Sequence, residues 1–244
     1  MSTTPSSSPS PSSPGSALSP FKHRAFAVVW GATVISNIGM WMQNAANGWL
    51  MTSLDPDPRI VAMVQVASAL PMFLFGLPAG ALADIFDRRR LLLTMETVGT
   101  LLTAAFALLV TLNQVNPALL LAFTFLAGAA AALIAPTWQA IVPQLVGHKD
   151  LAPAVALNSA GINISRAIGP ALAGLIIAYW GMAASFWINA ISNLGVIAAL
   201  FWWQVTAGPR RDLPPERFGS AIRVGLRHAR YNPHLRATLM RAAG

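Results

Sequence analysis

The chain has 244 residues, 55% of them hydrophobic and only 10% charged, with a formal charge of +8 and a mean hydropathy of +0.56. Soluble domains carry about a quarter charged residues, so water is not the expected solvent for most of this polypeptide. The absence of cysteine excludes disulfide scaffolds, thiolate zinc sites and thiol nucleophiles. The four histidines (His23, His148, His228, His234) are too scattered for a metal cluster. Nor does the positive charge indicate nucleic acid, because the basic residues lie between long apolar blocks rather than on one polar face.

Residues 1–20 are almost wholly Ser, Pro, Thr, Ala and Gly. Such a segment buries too little apolar surface to offset its ordering entropy, so a disordered tail is expected. It does not read as a signal peptide, since Lys22 and Arg24 follow it and no short apolar core with a small-residue cleavage site comes next. From residue 21 to 207 the sequence predicts a six-helix membrane domain, with apolar spans at roughly 25–52, 60–83, 91–112, 117–141, 154–179 and 183–205. The breaks are short and polar: Asp55 to Arg59, Asp84 to Arg90, Asn113 to Asn116, Gly147 to Asp150, and the Trp180-Gly181 turn. Backbone groups cannot stay unpaired in hydrocarbon, and membrane β-strands would be about half as long, so these spans are helices.

Lys and Arg set the expected orientation. Lys22 and Arg24 precede the first span, Arg88, Arg89 and Arg90 fill the second break, Lys149 lies in the fourth, and eight arginines follow the sixth span. The opposite side has Arg59, and Arg166 lies within a span. The positive-inside rule then places both termini in the cytoplasm of a cell whose plasma (inner) membrane holds the protein. Residues 208–234 read as a basic loop, in which Phe218, Ile222 and Leu226 mark either an amphipathic helix on the inner leaflet or a solvated linker. Residues 235–244 turn apolar again, as the start of a seventh helix would.

Glu96 and Arg166 are the charged side chains inside predicted spans, and ionisable groups at membrane depth are expensive enough to be functional candidates. The alternatives are interfacial snorkelling or a helix-to-helix bond for Glu96, and a structural ion pair for Arg166. In the first span Asn37, Gln43, Asn44 and Asn47 form a polar set, and Asn37, Asn44 and Asn47 fall near one helical face. Such a stripe lines a wet cavity or bonds to a neighbouring helix; the cavity is the favoured expectation. For Asn158, Asn163, Asn189 and Asn193 interhelical bonding is expected. The translocation-path candidates are therefore Asn37, Gln43, Asn44, Glu96 and Arg166.

The second span contains Gly76-Leu77-Pro78-Ala79-Gly80 and the fifth Gly169-Pro170-Ala171-Leu172-Ala173-Gly174. Paired Gly/Pro interruptions in corresponding helices are a trace of an inverted repeat that moves by rocking, with close helix packing as the competing account. Gly169, Pro170 and Gly174 are the hinge candidates. After the second span, Gly80, Asp84, Asp87, Arg88, Arg89 and Arg90 combine an acid where one helix leaves the membrane with a basic cluster that opens the next. That suits a charge latch at the inner face.

The Gly80–Arg90 stretch resembles the loop signature of the major facilitator superfamily, and Gly161 through Arg166 to Gly169-Pro170 and Gly174 resembles its exporter motif. Trp41-Met42-Gln43, Gly48-Trp49-Leu50 and Asp150-Leu151 with Ala156-Leu157-Asn158-Ser159 are similar to the enterobactin-exporter and drug-efflux branch. Ile85 stands where the signature has a basic residue and Asp87 where it has glycine; the fourth span lacks the arginine found in many proton-coupled members, which turns attention to Arg166 and Glu96.

The resemblance implies an all-α integral membrane fold, six helices forming the N-terminal half of a twelve-helix transporter with a 3+3 inverted repeat. It further implies secondary-active export of a small amphipathic molecule, a drug or siderophore, by alternating access in the full-length protein. No cofactor is expected; an ion gradient, protons among the candidates, is the energy source because no nucleotide-binding loop is present. The expected partners are the lipid bilayer, the small-molecule substrate and a missing C-terminal half, or a second copy in its place. An enzyme is not expected, since no paired carboxylates or Ser/His/Asp set can be assembled. A non-transporting scaffold or receptor, or an inactive truncated half, is the alternative.

Overall fold

The computed structural model describes residues 16–203, apart from the side chains of Asp84 and His148. Of the tail expected over 1–20, residues 1–15 lie outside the described residues, while Ser19 and Pro20 are buried in a short 3₁₀ helix rather than disordered. The basic loop over 208–234 and the start of a seventh helix at 235–244 lie outside the described residues, as does the Asp84 side chain of the expected latch.

Six long helices form the described part: α1 (Arg24–Leu54), α2 (Pro58–Ile85), α3 (Arg88–Thr111), α4 (Pro117–Leu145), α5 (Leu151–Trp180) and α6 (Met182–Trp202). Each is long and apolar enough to cross a bilayer, which needs about 20 residues. Short 3₁₀ helices, Ser19–Lys22 and His148–Asp150, precede α1 and α5. Among the described residues there is no strand. We call the side where α1, α3 and α5 begin the entry side, and the opposite one the far side.

The helix ends follow local chemistry. Asp57 and Asn116 each stand before a proline at the first helical position and accept a bond from the following turn, from the amides of Arg59 and Leu119, both at 2.9 Å. Asp87 caps α3 by accepting from the amide of Arg90 at 2.9 Å, so α3 starts earlier than the hydropathy pattern alone predicts. Likewise α4 continues through Pro143 to Leu145, because a proline inside a membrane helix is tolerated where neighbours cover the freed backbone. At the other end of α3 the chain reverses through Asn113, with φ of 56°, whose amide bonds the Val110 carbonyl while that of Gln114 bonds Leu109. The α5–α6 turn needs Gly181, whose φ of 83° suits glycine alone among common residues.

Packing follows a repeat. The main neighbours are α2 with α4, α1 with α5 and α6, and α3 with α4 and α6. Exchanging α1 for α4, α2 for α5 and α3 for α6 maps this set onto itself: the α2–α4 seam becomes α5–α1, α1–α6 becomes α4–α3, and α3–α6 is its own image. Three spans is an odd number, so the second copy runs opposite to the first. This is an inverted three-helix repeat.

Two dry clusters close the bundle. At the entry side Phe26, Val29, Leu92, Ile141, Leu145, Leu200 and Trp203 pack together. At the far side Phe106 and Phe123 stack with centroids 3.9 Å apart and Phe186 meets Phe106 edge-on at 5.2 Å, beside Met51 and Leu120. Between the two clusters the side chains change character.

Candidate functional site

A cavity of about 360 Å³ lies at that mid-depth, within the usual range for small-molecule sites. One wall is polar and comes from α1 and α6. There Asn189 Nδ2 donates to Gln43 Oε1 at 2.7 Å and Ser36 Oγ donates to Asn193 Oδ1 at 2.6 Å. Gly39 allows this closeness: a β-carbon there would stand 2.6 Å from Ser192 Oγ and 3.0 Å from Asn189 Cα. Asn37 and Thr33 join the same wall. Opposite them α4 brings Trp138 and Gln139, and Trp138 Nε1 donates to Asn158 Oδ1 of α5 at 3.4 Å. Met40, Met72, Ile134, Ile162 and Val196 supply the apolar surface.

Glu96 of α3 faces this space and is, among the described residues, the one ionisable side chain that lines it. The helix starts at Arg88, so Glu96 stands about 12 Å in from its first residue, deeper than the span boundaries predict. Its carbonyl accepts an additional bond from Thr100 Oγ1 at 2.7 Å. No ion pair joins it to Arg166: among the described residues His23 and Asp150 form the ion pair, at 2.9 Å.

The structure separates the predicted path residues. Asn37, Gln43 and Glu96 share the cavity. Asn44 is exposed and does not line it, while Asn47, almost fully buried, turns away with its Oδ1 unpartnered, so the expected stripe splits into three environments. Arg166 also stands outside the cavity: its guanidinium carbon lies 4.8 Å from the Trp41 ring centroid on the exposed edge of the α1–α5 seam. Asn158, Asn189 and Asn193 make the interhelical bonds expected of them, but Asn163 bonds the Ser159 carbonyl of its own helix at 2.9 Å. Trp138 and Gln139 carry no distinguishing signal in the sequence, because they lie next to the predicted end of the fourth span, where tryptophan and polar residues are ordinary.

At the Gly/Pro stretches only one hinge glycine is demanded by space. A β-carbon on Gly169 would collide with Trp41 Cβ and stand 3.2 Å from the Ile38 carbonyl and the Met42 amide, whereas Gly76, Gly80 and Gly174 face open room. Pro170 lies inside an unbroken α5, where its missing N–H leaves the Arg166 carbonyl without its helical donor.

At the α2–α3 connection the Asp84 side chain of the expected latch lies outside the described part, and Asp87, Arg88 and Arg89 bond to backbone groups. Asp87 is occupied as the α3 cap. Arg88 Nη1 donates to the Ala140 carbonyl of α4 at 3.3 Å, and Arg89 donates through Nε to Leu200 O at 2.9 Å and through Nη2 to Phe201 O at 3.0 Å. The cations therefore fasten carbonyls near the C-terminal ends of α4 and α6, where the helix dipole and free oxygens favour positive charge. Arg90 is exposed. Asp150 joins Ser19 Oγ at 2.6 Å and His23 Nε2 at 2.9 Å; the Ser19 hydroxyl first, then His23, hold its carboxyl below the usual carboxylate value.

The sequence profile described as transmembrane secretion effector, a branch of the major facilitator superfamily, matches residues 15–244. The chain belongs to that superfamily. It is 30% identical to the staphyloferrin A transporter of Staphylococcus aureus over 155 residues, 63% of this chain and 39% of that protein. It is 26% identical to the multidrug efflux pump Tap of Mycolicibacterium fortuitum over 84% of this chain and 52% of the pump. With macrolide efflux protein A of Streptococcus pyogenes it shares 22% identity over 88% of this chain and 53% of that protein. The chain thus spans about half the length of the curated relatives it matches. It is a multi-pass membrane protein of that superfamily.

Proposed function

We propose that this chain forms the first half of an exporter that moves a small amphipathic molecule, a drug or siderophore, out of the cytoplasm by alternating access. The observation that carries the reading is the mid-depth cavity, with a hydrogen-bonded polar wall, one carboxylate and an apolar remainder, between two dry clusters in a membrane bundle. A site of that polarity at the centre of an inverted repeat suits a ligand with one apolar and one polar end. The names of the relatives support export.

In this reading Asn37, Gln43 and Glu96 contact the ligand or its water, and Gly169 with Pro170 lets α5 shift against α1. Asp84, Arg88 and Arg89 tie the helix ends of the entry side, which faces the cytoplasm. Arg166 and Asn44 face the second half of the transporter, whose six helices close the path. The energy comes from an ion gradient, with Glu96 as the group that exchanges a proton.

Deletion of the complete gene should raise cellular accumulation of at least one compound in a panel of cationic, neutral and anionic dyes and siderophores. Restoring the gene should reverse this, and Glu96→Gln should restore it poorly at normal protein levels. Unchanged accumulation across the whole panel would sink the proposal in favour of a scaffold.

A further inference from the structure

The entry-side end of α6 holds an arrangement of which the transport reading uses only the fastening by Arg89. Arg24, the first residue of α1, places its guanidinium carbon 5.4 Å from the centroid of the Trp202 ring. Arg89 reaches the same turn from α3 by bonding the carbonyls of Leu200 and Phe201. Those bonds use Nε and Nη2, which leaves the Nη1 hydrogens unassigned. Beneath them Phe26, Leu92, Leu200 and Trp203 pack in one cluster, so the three helices meet firmly here. Two guanidinium groups from different helices thus converge on one exposed aromatic corner, where Phe201 and Trp202 remain open.

Among the described side chains no acid neutralises them. Asp87 is engaged with the Arg90 amide and Asp150 with Ser19 and His23, and among the described residues neither Arg24 nor Arg89 makes an ion pair. Lys22 and Arg90 add exposed positive charge on the same side.

Two apolar stripes run away from this corner into the membrane. On α1, Val28 and Ile35 lie four and eleven residues beyond Arg24, hence on its face, and both are exposed. On α6, Ala198 and Ile191 lie four and eleven residues before Trp202, again on one face and exposed. The Arg24–Trp202 contact shows that the stripes abut at their entry-side ends. A cationic head above a continuous apolar track has the shape of a phospholipid's complement.

We propose that the Arg24–Arg89–Trp202 corner binds the phosphodiester headgroup of an anionic phospholipid, with one acyl chain lying along the α1–α6 stripes. Arginine suits phosphate because its planar fork offers paired donors, and tryptophan suits the headgroup depth. The lipid completes the α1–α3–α6 end and does not enter the cavity.

The test uses the full chain purified in detergent, with lipid retention read by native mass spectrometry and by thermal unfolding. Phosphatidylglycerol should be retained and raise the unfolding temperature well above the level with phosphatidylcholine. Arg24→Gln should weaken phosphatidylglycerol binding about fivefold, the worth of one cation near an anionic headgroup, and Arg24→Lys should recover most of it. Arg24 has the Trp202 ring as its contact, so these variants should fold; Arg89 is left intact because it also fastens α6. Equal retention of the two lipids overturns the proposal, and so does unchanged phosphatidylglycerol binding in Arg24→Gln. Stabilisation by inorganic phosphate alone, matching that by the lipid, also overturns it, since the site would then take free phosphate.

Discussion

The α1–α5 and α2–α4 seams are images of each other in the repeat, yet they are held by different forces. On α2–α4 a β-carbon on Gly128 would meet the Ser68 carbonyl at 2.9 Å and Pro71 Cγ at 3.0 Å, and no side-chain hydrogen bond crosses among the described residues. On α1–α5 Gly161 and Gly169 allow a similar approach, but Trp30 Nε1 also donates to Leu157 O and Ser165 Oγ to Val34 O, both at 3.2 Å, and Arg166 covers Trp41. Lipid provides no hydrophobic drive for helices to associate, so close van der Waals packing at small residues makes both seams. The repeat copies that backbone geometry. It does not copy the chemistry placed along it, and the polar links orient α5 in a way α2 does not need.

The strongest way to break the comparison is to overfill each seam. Gly169→Val and Gly128→Val should each cost about 1–3 kcal/mol by overpacking. Gly169 should lie at the upper end because its nearest obstacle, Trp41 Cβ, is fixed to the α1 backbone and stands closer than anything Gly128 meets. Thermal unfolding in detergent would measure both, with Gly174→Val, which meets open room, as the unaffected control. An equal loss in the control would mean that close approach is not what holds the seams.

Polar links can be tested next, on the α1–α6 wall. Asn189→Leu leaves the buried Gln43 amide without its partner and should cost about 1–3 kcal/mol. The double change with Gln43→Leu should recover part of that stability while losing transport. Additive losses would show that the pair is not coupled.

Smaller effects belong to the exposed contacts. Arg166→Ala should lower stability by about 0.5–1 kcal/mol, the usual worth of an exposed cation–π contact, and Arg166→Lys should keep much of it. A larger loss of transport than of stability in Arg166→Ala would place the cation on the path's mating face, and equal transport in the two variants would remove it.

The smallest effect concerns acid. The Asp150 carboxyl is depressed below its ordinary value of 3.8 by Ser19 and then His23, so its contribution is present above that value and is lost as pH falls through the folded one. Between about pH 5 and about pH 3 the unfolding temperature should drop more in the native chain than in Asp150→Asn. Parallel curves would mean that the clasp contributes nothing.

Several of these residues could be read before the fold was known. Glu96 was conspicuous because a carboxylate in an apolar run has few bland explanations. Gln43 and Asn37 were visible as amides in a span, but so was Asn44, and residue type alone cannot tell a lining amide from an outward one. Asn193 is legible as a residue that bonds between helices, but its partner Ser36 is not, since a serine is ordinary in a membrane helix until an acceptor stands 2.6 Å away. The arginines of the basic loop were recognised as a cluster, while their partners, carbonyls more than fifty residues on, had no local signal. Pairing across the bundle is set by neighbours, and neighbours are a property of the repeat.

By itself the sequence determined how many helices cross the membrane and where they turn, because bilayer thickness and backbone hydrogen bonding leave an apolar run of this length a single choice. It also marked the small residues that permit close packing. Only the tertiary structure decided which side each helix presents, since a rotation of a few tens of degrees costs an isolated helix in lipid almost nothing and is settled by the partners it packs against. That rotation is why Glu96 shares a cavity with Asn37 and Gln43 while Arg166 lies outside it on Trp41.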